Sequence, residues 1–475
     1  MLLKRIGLVL GLTLCVGLMW AASGTRVEGQ RTGGGAATGR QYTPPFYVFS
    51  PNVPNDIVTH DVGAIGFQPF VDILAWDSFV ALNWPVPAQL KQRGVPDEQN
   101  VIGGFKTSGG EGGSGTTMPT GPTVWETYKD TADIFLNPPV RPTSFDAPEI
   151  IPPACLRLAA ENRGAAQRTM TQTAKVSDVL QDFKQAFTMY PLIDQNGEKV
   201  WYEVKVNRAY YNYVVNNGFY NSNNQKGKVI SFPASSNTTD TVPAIKVKAA
   251  WKIMGGPGSR QPDDLSKFYT TVALVYDSTT GRCSARTVGL VGLHVVMKTA
   301  QLPQWSWATF EHVNNAPDQT GAKSGIQYNF YNPKCPSCPI NAPPPASNPN
   351  MPTQVVRLVP VDSVANSQNM LYQMALTTLR KDNVWQNYML VNDQWSGTAT
   401  PVGVPSQPKF LANSTLETYL QEPVDTTPPH GCINCHGKYA GNKDLDFQLF
   451  KAFPHSPSLV RNVLQAHGDA ELLRR

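Results

Sequence analysis

In Ile245-Lys246-Val247-Lys248-Ala249-Ala250-Trp251-Lys252-Ile253, apolar side chains at 245, 247, 249, 251 and 253 alternate with lysines at 246, 248 and 252. Successive side chains of an extended strand point to opposite faces, so a period of two predicts a half-buried β-strand. The same period occurs upstream, where Val200, Tyr202, Val204 and Val206 alternate with Trp201, Glu203 and Lys205. Further β-rich runs follow at 268–276, 287–299, 305–312 and 355–361. Short turns separate several of these runs, which favours an antiparallel sheet over a parallel one. Elsewhere the period lengthens. Ile73, Trp76, Phe79 and Val80 recur at three and four, predicting a helix over 72–83. Ser177 opens a second helix, with Val176, Leu180, Phe183, Phe187 and Tyr190 on one face and Pro191 at its end. A third is expected over 364–380, carrying Met370, Met374 and Thr377. Together these patterns predict an α+β fold, with one large domain over 44–400 built on an antiparallel sheet with flanking helices.

The ends of the chain read differently. Lys4 and Arg5 precede an apolar run from Ile6 to Trp20, and Ala21-Ala22-Ser23 supplies small residues. That is the layout of a cleavable export signal over 1–23, with a run too short to span a bilayer comfortably. Cys15 follows Leu14 rather than a small residue, so lipid attachment there is not expected. Residues 24–43 are rich in Gly, Arg and Thr and predict a flexible leader. A glycine-rich tract at 103–121 lacks the Gly-Lys-Ser/Thr ending of a phosphate-binding loop and reads as a surface loop. Prolines concentrated just after residue 400 mark a linker over 401–412. Beyond it, 413–475 forms a small segment. Ser414-Thr415-Leu416-Glu417 has the form of a capping box opening a short helix that Pro423 closes, and Ser456-Pro457 opens another carrying Leu459, Val460, Val463, Leu464 and Leu472.

Between those two helices lies Cys432-Ile433-Asn434-Cys435-His436, flanked by Pro428-Pro429 and Gly431. Two thiols three apart, followed at once by an imidazole, form the spacing that attaches a c-type haem. Each thiol adds to one vinyl group, and the adjacent histidine lies under the porphyrin where it can reach the iron. On these residues the chain resembles the c-type cytochromes. The resemblance implies one covalent haem c, with Cys432 and Cys435 as thioether residues and His436 as the proximal axial ligand. It covers the pentad alone and implies nothing about the large upstream domain. Covalent haem attachment takes place outside the cytoplasm in bacteria, so the export signal and the pentad agree on a periplasmic or otherwise exported protein.

The other axial position is left open by the sequence. No methionine follows Met389, which departs from small soluble cytochromes whose distal methionine lies downstream of the motif. His455, in the same short segment, is the first candidate, followed by His467. Met374, Met389, His294 and His312 from the upstream domain are further candidates, and an open five-coordinate iron is a third solution. His294 and His312 fall on consecutive predicted strands joined across Leu302-Pro303, with Trp305, Trp307 and Glu311 on the same hairpin; the first reading is a sheet with satisfied polar groups and an aromatic face, the second a substrate or redox-partner pocket beside the haem edge. His430 reads as an ordinary polar side chain.

Cys335-Pro336-Ser337-Cys338 repeats the cysteine spacing, and two such pairs can bind zinc. The gap between the pairs is far longer than that of common zinc sites, and zinc requires neither the signal nor His436. Prolines around Cys335 and Cys338 leave no room for a helix start, so a structural disulfide is expected there. Cys155 and Cys283 are the remaining two, and the four cysteines permit three connectivities.

A net charge of +5, with 16% charged residues and no basic run, excludes nucleic-acid binding. Forty prolines and thirty-eight glycines point to a loop-rich fold. The function expected from the sequence is electron transfer by a monohaem c-type cytochrome with a redox partner protein and no stable membrane span after signal cleavage. A haem-dependent oxidoreductase or peroxidase-like enzyme, with its substrate held by the upstream domain, and an envelope binding protein with a haem sensor are the alternatives.

Overall fold

The computed structural model describes residues 49–58, 66–87, 89, 92–103, 105–106, 118–119, 122–161, 168–170, 190–238, 241–277, 280–397, 406–421 and 431–453. The expected signal, leader and helix from Ser177, most of the glycine-rich tract, the first half of the linker, the helix from Ser456, and His430, His455 and His467 lie outside these residues.

The fold is α+β. Its main elements, in chain order, are α1 (Gln68–Leu82), β1 (Lys129–Asp130), β2 (Thr169–Met170), β3 (Trp201–Val206), α2 (Arg208–Asn216), β4 (Ile245–Ile253), β5 (Thr270–Asp277), β6 (Arg282–Met297), β7 (Ser306–His312), α3 (Ser363–Leu379), β8 (Tyr388–Gln394) and α4 (Cys432–Ala440), apart from one short helix, Leu156–Glu161, and a two-stranded ribbon of Phe105–Lys106 with Met118–Pro119. The eight strands form one sheet in the order β8-β7-β6-β4-β3-β1, with β5 and β2 attached through β6. All pairings are antiparallel except that of β2 with β5. The sixteen-residue β6 pairs through its first half with β5 and through its second with β7. The run expected at 287–299 is therefore the second half of a longer strand.

The expected strand at 355–361 does not form. Its amides bond singly to different partners: Val355 to the Phe330 carbonyl, Arg357 to the Pro317 carbonyl and Leu358 to Gln421 Oε1. Pro360 has no amide to offer, so no continuous ladder can run through this stretch. α1 begins four residues earlier than its periodicity suggests, with Pro69 in its first turn, where a missing N–H costs nothing.

The two faces of the sheet carry different layers. On one, Phe310 of β7 meets Trp76 (centroids 5.1 Å) and Phe79 (4.3 Å) of α1, and Trp76 stacks on Tyr372 of α3 at 4.8 Å. Asn369 of α3 accepts the Leu390 amide on Oδ1 and donates from Nδ2 to the Leu390 carbonyl, filling the bulge in β8. On the other face, Tyr202, Ala250 and Gly292 lie in register beneath the 413–415 turn. Tyr202 Oη donates to the Thr415 carbonyl at 3.0 Å. A Cβ at position 292 would run into the Thr415 hydroxyl, so only glycine lets the turn approach so closely.

Both faces of β4 are consequently buried, and the half-buried strand expected from its alternation is fully covered apart from Lys248. The lysine face is neutralised: Lys246 Nζ is 3.3 Å from Asp446 Oδ2, and Lys252 sits between Asp194 and Asp263. The same holds for β3, where Glu203 takes Arg168 and the Trp251 indole N–H and Lys205 pairs with Glu149. Buried charges survive only when paired in this way.

The cysteines outside the pentad form Cys155–Cys283 and Cys335–Cys338 disulfides. The first closes a separation of 128 residues and, in the chain-entropy picture, restrains the unfolded chain by about 4–5 kcal/mol. No helix among the described residues is long and apolar enough to cross a membrane.

Asp72 on α1 is buried, with Gln68 Nε2 donating to its Oδ1 at 2.8 Å and no hydrogen bond to Oδ2. Burial pushes this carboxyl up to about 7. A raised acid favours the fold while protonated, so its contribution is complete below the unfolded carboxyl value and is lost as pH rises through about 7. Asp72→Asn should therefore match the parent near pH 3 and exceed its stability at pH 8 by about 2–4 kcal/mol in urea unfolding. Equal stability of the two at pH 8 contradicts the burial argument.

Candidate functional site

The pentad is itself helical. Gly431 enters in extended conformation (φ −159°) and α4 starts at Cys432. Residues at i, i+3 and i+4 share a helix face, so Cys432, Cys435 and His436 are presented together. Gln394, the last residue of β8, fixes this start: its Oε1 accepts the Ile433 amide at 2.8 Å, and its Nε2 donates to the Pro408 carbonyl at 2.7 Å. A side chain at 431 would collide with Gln394, and buried Ile433 anchors the opposite side of the turn.

The expected helix from Ser414 is replaced by a turn and a single 3₁₀ turn at Thr418–Leu420. Asn413, not Ser414, caps the 414–416 turn, its Oδ1 accepting the amides of Thr415 (2.9 Å) and Leu416 (3.2 Å). Ser414 instead donates its amide and hydroxyl to Glu311, whose carboxylate also takes a bidentate pair from Arg357 at 2.9 and 2.6 Å. Asn413 Nδ2 donates to Thr309 Oγ1 and to the Phe310 carbonyl. A stronger partner in the sheet has drawn the serine away from its own helix.

His436 is held on three sides. Its Nδ1 donates to the Leu445 carbonyl at 2.7 Å, and its ring lies 4.3 Å from Trp307 and 4.2 Å from Phe447. Among the described residues Nε2 has no hydrogen-bond partner. Asp444 and Leu445 both adopt positive φ (55° and 61°), an uncommon conformation for residues with a side chain. Tertiary contacts enforce it: Asp444 accepts the Phe232 amide at 2.7 Å, pairs with Lys298, and receives the Trp305 indole N–H on its carbonyl at 2.9 Å. Burial, with the positive charges of Lys246 and Lys248, keeps His436 well below the ordinary imidazole value and neutral. Burial likewise raises both thiols, Cys435 to about 11.

These groups open into one cleft of about 1030 Å³, part of it open to solvent. Its floor is the sheet face bearing Val204, Lys246, Lys248, His294, Val296 and Trp307. Its roof is α4 with Leu411, Glu417, Leu420, Phe447 and Gln448. Across the floor, His294 Nε2 donates to Glu417 Oε1 at 3.0 Å, and Glu417 Oε2 accepts the Asn413 amide at 3.0 Å. Burial alone would raise Glu417, but His294, Lys248 and that amide overcome it and hold the carboxyl down to about 2.

Of the residues singled out from the sequence, the structure brings Cys432, Cys435, His436, His294 and Trp307 to this cleft. His312 is elsewhere, stacked on Phe268 at 4.1 Å with both ring nitrogens engaged, Nε2 to the Lys267 carbonyl and Nδ1 to the Asn314 amide. Met374 is exposed on α3 and Met389 lies on β8, neither lining the cleft. Glu311 is spent on Arg357 and Ser414. Lys246, Lys248, Glu417 and Phe447 line the cleft, and Leu445 supplies the carbonyl to His436, without having been expected there. The lysines read as a solvent face and Glu417 as part of a cap. No local signal distinguishes those roles. Comparison with family models, curated proteins and solved structures gives no match to this chain.

Glu311 is the hinge between the sheet and the segment bearing Glu417. Glu311→Ala strands the buried Arg357 charge and should cost about 3–5 kcal/mol in urea unfolding. A loss below about 1 kcal/mol shows that the 413–421 turn is docked by other contacts.

Proposed function

We propose that this chain is an exported single-haem c-type cytochrome whose role is electron transfer. The observation that carries the reading is His436. A ligating histidine characteristically gives its other ring nitrogen to a carbonyl or carboxylate, which fixes tautomer and orientation. Here Nδ1 is committed to Leu445, the ring is wedged between Trp307 and Phe447, and the remaining nitrogen is free on the cleft that holds both thiols.

The donor set suits iron inside a porphyrin better than a bare ion. Among the described residues no group of three or more His, Cys, Asp or Glu converges as a metal shell, whereas a porphyrin brings four nitrogens and asks the protein only for axial ligands. The zinc alternative required the second cysteine pair, and Cys335 is bonded to Cys338.

When bound, the haem supplies a reversible one-electron couple. The chain supplies the rest. Cys432 and Cys435 would hold the haem covalently, each S–H adding across one vinyl group, so that the cofactor could not leave. Trp307 and Phe447 exclude water from the proximal imidazole. Lys248 would offer positive charge to the haem carboxylates, Lys246 being paired with Asp446. Cys432 and Cys435 are half-buried, and a redox partner protein would reach the cofactor from their side of the cleft.

Expression of the full chain with cytochrome maturation machinery should give a c-type α-band in the pyridine haemochrome that survives acid-acetone extraction. Cys432→Ser with Cys435→Ser should abolish that retention. A product with no Soret band removes the haem reading altogether.

A further inference from the structure

The cleft contains a second imidazole with the same arrangement as the first. Three histidines fall among the described residues, and their ring nitrogens separate them. His436 has one nitrogen on a carbonyl and one free. His294 has Nε2 on the Glu417 carboxylate at 3.0 Å and Nδ1 free. His312 has both nitrogens engaged and lies outside the cleft. An imidazole anchored by a carboxylate through one nitrogen and bare at the other is the pattern of a metal ligand held by its outer shell.

We infer that His294 is the second axial ligand of the haem iron, acting through Nδ1, with Glu417 as its positioning residue. This rests on the haem reading of the same cleft. Three features of the fold support it. His294 stands on β6 opposite Lys248 and Thr309, one row of side chains along the sheet from Trp307, against which His436 packs. Its anchor is firm, because Glu417 is itself fixed by the Asn413 amide and Asn413 is bonded to β7. The methionines that sequence offered from the upstream domain, Met374 and Met389, do not reach the cleft. The iron would thus be held between the two parts of the chain, one ligand from the C-terminal segment and one from the central sheet. A carboxylate on the far nitrogen makes His294 a stronger donor, which favours ferric iron and lowers the potential.

The test uses the full haem-loaded chain, read by ferric optical and EPR spectra and by potentiometry. The parent should be six-coordinate and low-spin, with bis-histidine signals. His294→Ala should convert it to high-spin, and added imidazole should restore the low-spin form. His294→Met should raise the midpoint potential, since a His/Met iron lies above a bis-histidine one. Should the alanine variant fail to accumulate, the methionine variant answers the same question. Glu417→Gln should keep the low-spin spectrum and shift the potential upward. Met389→Leu and His455→Ala should leave spectrum and potential unchanged.

A high-spin parent, a low-spin His294→Ala protein, an unshifted potential in His294→Met, or conversion to high-spin by His455→Ala overturns the assignment. An unshifted potential in Glu417→Gln overturns the part given to Glu417. Each of these is observed on a protein whose pyridine haemochrome already proves covalent haem. Failure of the ligand assignment is therefore distinct from failure of the haem reading, which shows as no covalent haem at all.

Discussion

A sheet that buries charge on its second face must have that charge answered, and the C-terminal segment supplies much of the answer. Lys246 meets Asp446, Lys298 meets Asp444, and Glu311 takes the Ser414 amide as well as Arg357. Each partner on the segment is within a few residues of a cleft-lining group. The segment is therefore located by ion pairs and hydrogen bonds with defined directions, where apolar contact alone would tolerate sliding. Removing one member of such a buried pair leaves the other uncompensated, at a cost of about 3–5 kcal/mol.

This mode of docking explains the precision of the cleft. Asp444, tied to Lys298 and the Phe232 amide, holds two successive residues at positive φ, and that turn aims the Leu445 carbonyl at His436. Asn413, tied to β7, holds Glu417, which in turn holds His294. Two imidazoles are thus oriented by two separate chains of contacts, both ending in the central strands. So short a segment of chain cannot build a core of its own. Here the sheet provides it, with Trp307, Val296 and Val204 forming the floor beneath the pentad.

The large domain has its own source of rigidity on the opposite face. Trp76, Phe79, Phe310, Tyr372 and Tyr388 form a contiguous aromatic cluster between the helices and the sheet. Such rings bury large areas in fixed mutual geometry. Because this layer fixes β6, β7 and β8 from behind, the front face can carry polar and charged groups without losing its shape.

How much of this was legible depends on the range of the interactions concerned. Periodicity located β4 to the residue, placed β3 and β7 within a residue of their bounds, and found the core of α1 and nearly all of α3, because those patterns repeat locally with the pitch of the element. The pentad was legible for the same reason, its three groups lying within five residues. The alternation of β4 could not say that its lysine face would be covered, since the carboxylates that cover it are near residues 194, 263 and 446. The capping pattern at Ser414 was sound local chemistry, but Glu311, over a hundred residues away, competes for the serine and leaves Asn413 as the cap. Nor could a run of β-forming residues at 355–361 reveal that loops would take its amides one at a time. The sequence by itself determined the α+β class, the main strands and helices, and the thiol–thiol–imidazole triad, all set by spacing along the chain. Only the tertiary structure decided which disulfides form, that His294 and not His312 shares the cleft with His436, and that Glu417 faces His294. Those depend on contacts between residues far apart in the chain, whose partners no local spacing records.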